Sequence, residues 1–153
     1  MSTPINIIPC TPADAPESLL YLADPSPTMV ARYLSTSFVH IAQQNHETIG
    51  LCVLTPLSNT DAEIKNIAVR EDRHGQGIGK QLLLHTIDFA RARAFKTLHI
   101  GTGNSGFAQL RMYQRAGFEM TGIDLDFFTR NYPEPIVEDG IPCKHMVRLS
   151  MQL

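Results

Sequence analysis

Three glycines spaced two apart, Gly75, Gly77 and Gly79, lie between a strand-like apolar run, 64–69, and a helix-like run, 81–94. A residue without a Cβ lets neighbouring backbone N–H groups converge. A helix starting there adds its unpaired N–H groups and the positive end of its dipole. That combination can hold a phosphate or pyrophosphate. The same glycines would equally make a ligand-free turn, and the string alone leaves both readings open. A second run, Gly101-Thr102-Gly103-Asn104-Ser105-Gly106, has the GxGxxG form of a dinucleotide-binding loop. Asp124 follows about twenty residues later, where that fold places its ribose-binding acid. A third grouping sets Asp124, Asp126, Glu134, Glu138 and Asp139 among Phe127, Phe128 and Tyr132. Acids beside aromatic rings suit a cationic amine through ion pairing and cation–π contact. The plainer account is a solvated acidic loop paired with Arg130, Lys144 and Arg148.

Several elements must position these groups. A short strand over 5–10 precedes a helix start at Thr11-Pro12-Ala13-Asp14, with Thr as N-cap and Pro at the first helical position. Asp24-Pro25 stops that helix, and Ser26-Pro27 begins another carrying Met29, Val30, Tyr33 and Leu34 at helical spacing. The two helices would pack over a sheet. Apolar runs at 38–43 and 48–54 flank Gln44-Asn45-His46-Glu47, which reads as a hairpin; with 62–69 they predict a three-strand antiparallel meander. The helix after the glycine loop presents Ile78, Leu82, Leu83, Ile87 and Ala90 on one face and Lys80, His85, Asp88 and Arg91 on the other. A strand at 97–100 should run parallel to 62–69, because a helix joins them. A short helix at 107–116, ended by Gly117, a strand at 118–125, an irregular functional loop at 126–142 and a last strand at 144–149 complete the chain. The expectation is one α/β domain over 1–153 with a mixed sheet.

Composition excludes several function classes. At 153 residues, 43% hydrophobic and 18% charged, the chain is that of an ordinary globular protein. A net charge of −2 argues against nucleic acid as the main partner. No apolar run reaches the roughly 20 residues of a membrane span, and the N-terminus lacks a signal-peptide pattern. Cys10, Cys52 and Cys143 suggest neither a disulfide framework nor a CxxC site, and the six histidines form no HExxH, so no metal is expected. A reduced, cytoplasmic setting is the expectation. A homodimer is the default assembly.

The order of elements and three motifs together resemble the GNAT superfamily of acyl-CoA-dependent N-acetyltransferases. The family's loop, (Arg or Gln)-x-x-Gly-x-(Gly or Ala), is similar to His74-Gly75-Gln76-Gly77-Ile78-Gly79 followed by Lys80. Glu63 to Val69 looks like its central strand, and Leu110 to Phe118 like its Tyr-x-x-x-Gly-Phe segment. The resemblance covers about 38–125. His74 stands where the family has Arg or Gln, and Gly106 where it often has Asn, with Asn104 and Ser105 just upstream.

The resemblance implies helices on both faces of the sheet and a splayed parallel strand pair. It also implies acetyl-CoA as co-substrate, its pyrophosphate on the loop 74–80 and its pantetheine arm along Ile67, Ala68 and Val69. A β-bulge near Asn66 to Ala68 would free that edge, and the N–H of Ala68 or Val69 would polarise the thioester. Tyr113 matches the family's proton donor to the leaving thiolate, and Glu63 is the candidate base. Asn104 and Ser105 would give the cofactor polar contacts, and Asp124, Asp126 and Phe128 would meet the amine: a polyamine, an aminoglycoside-like compound, or a protein amine. Two other readings stand beside this one. They are a catalytically silent acyl-CoA-binding regulatory module, and an NAD(P)-binding protein using residues 101–106, which the few elements after Asp126 disfavour.

Overall fold

The computed structural model describes residues 3–153. Seven strands form one sheet in the order β1-β2-β3-β4-β5-β9-β6. They are β1 (Asn6–Cys10), β2 (Phe38–Gln44), β3 (Glu47–Pro56), β4 (Asp61–Val69), β5 (Thr97–Gly103), β6 (Glu119–Asp124) and β9 (Met146–Gln152). All neighbours are antiparallel except β4 and β5. The meander over 38–69 is present, and its first turn places Asn45 (φ 53°) and His46 (φ 65°) in the left-handed region that a two-residue hairpin needs.

Helices cover both faces. On one lie α3 (Ile78–Ala92) and α4 (Phe107–Ala116), burying Leu82, Leu83, Ile87 and Ala90 against Ile64, Leu98, Ile100 and Leu149. On the other, α1 (Glu17–Ala23) and α2 (Pro27–Tyr33) bury Leu19, Leu20, Val30 and Tyr33 against Leu51, Val53 and Ala68. Among the described residues no helix is long and apolar enough to cross a membrane.

The first helix begins later than Thr11 suggests. Pro12–Asp14 makes a single 3₁₀ turn, and the Thr11 hydroxyl bonds the Asp14 carboxylate instead of a backbone N–H. Pro16 forces the preceding Ala15 to extended backbone (ψ 129°), so α1 can only start after it. Ser26 caps α2 as expected, its hydroxyl accepting from the Met29 N–H at 3.2 Å. α3 starts at Ile78, not Gln81. His85 is not on its outer face: the imidazole turns in against His40, while Leu84 is exposed.

The segment 126–142 is less irregular than its composition suggests. It holds a one-turn helix, α5 (Phe127–Asn131), and a hairpin of β7 (Val137–Glu138) and β8 (Ile141–Pro142). After it β9 inserts between β5 and β6, so the last strand is paired on both sides and runs to Gln152 rather than Leu149.

Candidate active site

The parallel ladder between β4 and β5 stops at Ile64–Ile100. Just beyond, Lys65 is the extra residue of a bulge: Leu54 pairs with Ile64 but Val53 pairs with Asn66. It lies one residue before the expected Asn66 to Ala68. Before it, Ala62 and Ile64 face the α3 side; after it, Ile67 and Val69 do. The bulge keeps the inward pattern while twisting the strand away from β5. From Lys65 to Val69, β4 therefore has a ladder on its β3 side only.

The phase of that ladder decides which backbone groups face the gap. The Arg70 N–H donates to the Ile49 carbonyl at 2.8 Å, so the alternating bonds of the pair fall on Ala68 with Leu51 and Asn66 with Val53. A Cβ on Gly50 would sit 3.0 Å from the Ala68 carbonyl oxygen, as that phase requires. The N–H groups of Ile67 and Val69 point into the gap. Ala68 offers it nothing: its N–H serves β3 and its side chain is buried under α1, which corrects its expected part as a donor.

At the far end of the gap, Gly75 and Gly77 both have φ 79°, and a Cβ on either would meet no protein atom within 4 Å. Gly77 is the N-cap of α3 and supplies no side-chain cap. Gln81 donates the first full-turn bond, to Gly77, so the N–H groups of Ile78, Gly79 and Lys80 are left for another acceptor. Gly79 is ordinary: its Cβ would pack against Met112 and Val69 at 3.8 Å. The polar side chains of the loop brace it. Gln76 accepts from the Arg73 Nε–H at 3.0 Å, and His74 Nε2 lies 2.8 Å from the Val69 carbonyl. A carbonyl only accepts, so His74 carries its proton on Nε2 and clamps the strand end to the loop. This accounts for a histidine at the position where Arg or Gln was expected. Lys80 joins Leu84, Ala108, Arg111, Met112, Arg115 and Ala116 around a groove of about 410 Å³ between α3 and α4. Among the described residues Lys80, Arg111 and Arg115 have no acidic partner.

Tyr113, on α4, is 3% exposed and packs edge-on to Phe118. Burial, with Cys52 as a lesser cause, pushes its phenol above the ordinary range, so it is protonated at neutral pH. Tyr113 and Cys52, the cross-strand partner of Ile67, share the core on the α3 side of the sheet.

The opposite face of the gap is charged. Glu63, 9% exposed, pairs with Lys65 at 3.3 Å and Arg148 at 3.5 Å. Arg148 also reaches Asp124 at 3.5 Å, and Arg130 reaches Asp124 at 2.9 Å. The Arg130 bond, ahead of lesser causes, holds the Asp124 carboxyl below the usual carboxylate range. Asp124 is thus already neutralised by two arginines. Asp126 caps α5 with φ 58°; its N–H donates to His145 Nδ1 at 2.8 Å and its carboxylate points largely to solvent. Phe128 lies over Gly103, where a Cβ would come 3.4 Å from its ring.

The loop 101–106 is built into the fold. Asn104 Oδ1 accepts from the N–H groups of Lys144 and His145 at 2.8 and 2.9 Å, and its Nδ2 donates to the Pro142 carbonyl at 3.0 Å. Those bonds occupy the carbonyl oxygen and one of the two amide N–H groups, so Asn104 braces the 142–145 segment. Ser105 is buried, its hydroxyl unpartnered. A Cβ on Gly106 would meet Thr102 Oγ1 at 2.4 Å, so packing demands that glycine. β6, which follows the helix, is separated from β5 by β9. The loop 101–106 and α4 therefore do not join neighbouring parallel strands, as a dinucleotide-binding β-α-β unit requires.

Reading along the chain missed one group. Asp24, seen there only as a helix stop, is 8% exposed and accepts bonds from Tyr132 at 2.7 Å, Tyr33 at 3.3 Å and the Ser26 N–H at 3.3 Å. Asp24 and Tyr132 are 108 residues apart, and no local signal joins them.

A splayed β4–β5 pair leading from a bulge to a glycine cradle defines a class. The sequence profile described as the acetyltransferase (GNAT) family matches residues 8–118, and the chain belongs to that family. A Bacillus subtilis relative, "Uncharacterized N-acetyltransferase YvbK", is 45% identical over 135 residues, covering 88% of this chain and 87% of that one. The structure titled "IAA acetyltransferase" from Bacillus cereus superposes with a TM-score of 0.96 at 41% identity, over 98% of this chain and 100% of that one. A GNAT family acetyltransferase from Elizabethkingia anophelis with acetyl-CoA bound gives 0.93 at 48% identity, over 97% and 98%.

Proposed function

We propose that this chain moves an acetyl group from acetyl-CoA to a primary amine by direct transfer. The observation that carries the reading is the pairing of two sets of free N–H groups, at Ile67 and Val69 on the open edge of β4 and, one 3₁₀ turn later, in the open cradle at 75–80, with Tyr113 in the core on the same α3 side of the sheet. The acetyl-CoA bound to the Elizabethkingia relative supports the same ligand here. Acetyl-CoA supplies the acyl group as a thioester.

The cradle N–H groups hold the pyrophosphate, and the Val69 N–H pairs with the arm. Ile67, the last free donor before the bulge, aims its N–H at the thioester oxygen and stabilises the charge that develops there. The amine nitrogen bonds the acyl carbon as the carbon–sulfur bond breaks. The amine's proton leaves through water toward Glu63, and the sulfur takes its proton from the Tyr113 hydroxyl. A phenol whose pKa burial raises is a weak acid in the resting enzyme but matches a thiolate being born in the same apolar pocket. Asn104 stays outside this account.

Thiol release with acetyl-CoA across a panel of amines tests it. Tyr113→Phe should lower kcat by about 10²–10³-fold and leave binding of CoA by calorimetry close to wild type. Unchanged turnover across pH would remove the donor role. Tight CoA binding with no release from any amine would favour a silent binding module.

A further inference from the structure

Every carboxylate facing the gap from β4 and β6 has a cation: Glu63 has Lys65 and Arg148, and Asp124 has Arg130 and Arg148. Asp24 does not. It is buried where α1 ends, among that helix's unpaired carbonyls, and its partners are two phenols and one backbone N–H. Beside it, Asn66 Nδ2 donates to the Leu20 carbonyl at 2.9 Å and to the Tyr33 oxygen at 3.2 Å. Leu20 offers only an acceptor, which fixes the amide orientation. Asn66 Oδ1 is therefore a buried acceptor with no donor. Tyr132 stacks on Phe128 with centroids 5.6 Å apart. Asp24, Tyr33, Tyr132 and Asn66 are linked by hydrogen bonds, with Phe128 against Tyr132, and among the described residues no cation pairs with any of them. That set is complementary to an ammonium ion.

We propose that Asp24, the Asn66 carbonyl and the rings of Tyr33 and Tyr132 form a subsite for a second, non-reacting ammonium group of the acceptor, so that the preferred substrates are diamines. This rests on the transferase reading above. The subsite takes the non-reacting end because an unpaired carboxylate stabilises a protonated amine, whereas the attacking nitrogen must be neutral. The spacer is short: Asn66 adjoins Ile67, whose N–H faces the gap, and one strand residue spans about 3.3 Å. The hydrogen bond from the Tyr132 hydroxyl to Asp24 is the contact the incoming cation replaces, while the ring stays in the subsite.

The test compares putrescine with n-butylamine, in CoA-loaded protein by calorimetry and in thiol release with acetyl-CoA. Wild type should bind putrescine about tenfold or more tighter and show the same ratio in KM. Asp24→Asn, which keeps an acceptor for the tyrosines, should bring the two KM values within about twofold of each other. Tyr132→Phe, which keeps the ring but removes the competing bond, should lower the putrescine KM by about two- to tenfold. Equal KM values in wild type, or an undiminished ratio in Asp24→Asn, would overturn the subsite. So would a putrescine KM that does not fall in Tyr132→Phe, an outcome that needs no Asp24 variant to fold. Tight putrescine binding without thiol release from either amine would support the subsite and refute the transferase reading.

Discussion

His40 lies on β2, 5% exposed, with its ring against His85 at 4.8 Å and Phe89 at 4.6 Å, and its Nδ1 has no partner. Burial first, then His85 and Arg93, lower its pKa from 6.5 to about 4. The imidazole is therefore neutral in the fold and becomes charged in the unfolded chain below its unperturbed pKa. For a base shifted down in this way, the unfolded state binds more protons between pH 6.5 and pH 4. Stability is then full above about pH 6.5 and falls as the pH drops through that window. The full shift corresponds to about 3 kcal/mol, of which about 2 kcal/mol is lost by pH 5. Urea unfolding of wild type and His40→Gln at pH 7.5 and pH 5 isolates it, since the other titrating groups contribute alike to both proteins. The loss on acidification should be about 2 kcal/mol smaller in the variant. An equal loss in both would show that His40 is not held neutral by its surroundings.

Three further predictions concern the cradle. Gly77→Ala places a Cβ in open space but at φ 79°, so it should cost about 1–2 kcal/mol in thermal melts and weaken CoA in calorimetry. His74→Ala removes the clamp on the Val69 carbonyl; the KM for acetyl-CoA should rise while stability falls by no more than about 1.5 kcal/mol. Arg111→Ala, in the basic groove beside Lys80 and Arg115, should weaken CoA by about fivefold and dephospho-CoA less, a difference that added salt should shrink.

The glycine cradle was legible along the chain because its demands are local: a positive φ and a helix start are set within a few residues. The meander and the parallel β4–β5 pair were legible for a related reason, since a turn joins antiparallel neighbours and a helix joins parallel ones. Boundaries fared worse where two local signals competed, as at Thr11, whose cap loses to Pro16.

The acceptor side belongs to the tertiary structure. The acids expected to greet an amine, Asp124 and Asp126, are respectively bound by arginines and turned to solvent. Arg148 meets Glu63 only because β9 inserts between β5 and β6, and Tyr132 reaches Asp24 only once the segment after β6 folds back across the sheet. Asn104 looked like a ligand residue and became a clamp by the same route. A side chain's partners depend on what long-range packing brings within about 3 Å, whereas the φ of a glycine and the cap of a helix depend on their neighbours in the chain. So the amino-acid sequence by itself determined the glycine turn that starts α3 and the strand leading to it, and packing alone decided which charges near the gap are already paired.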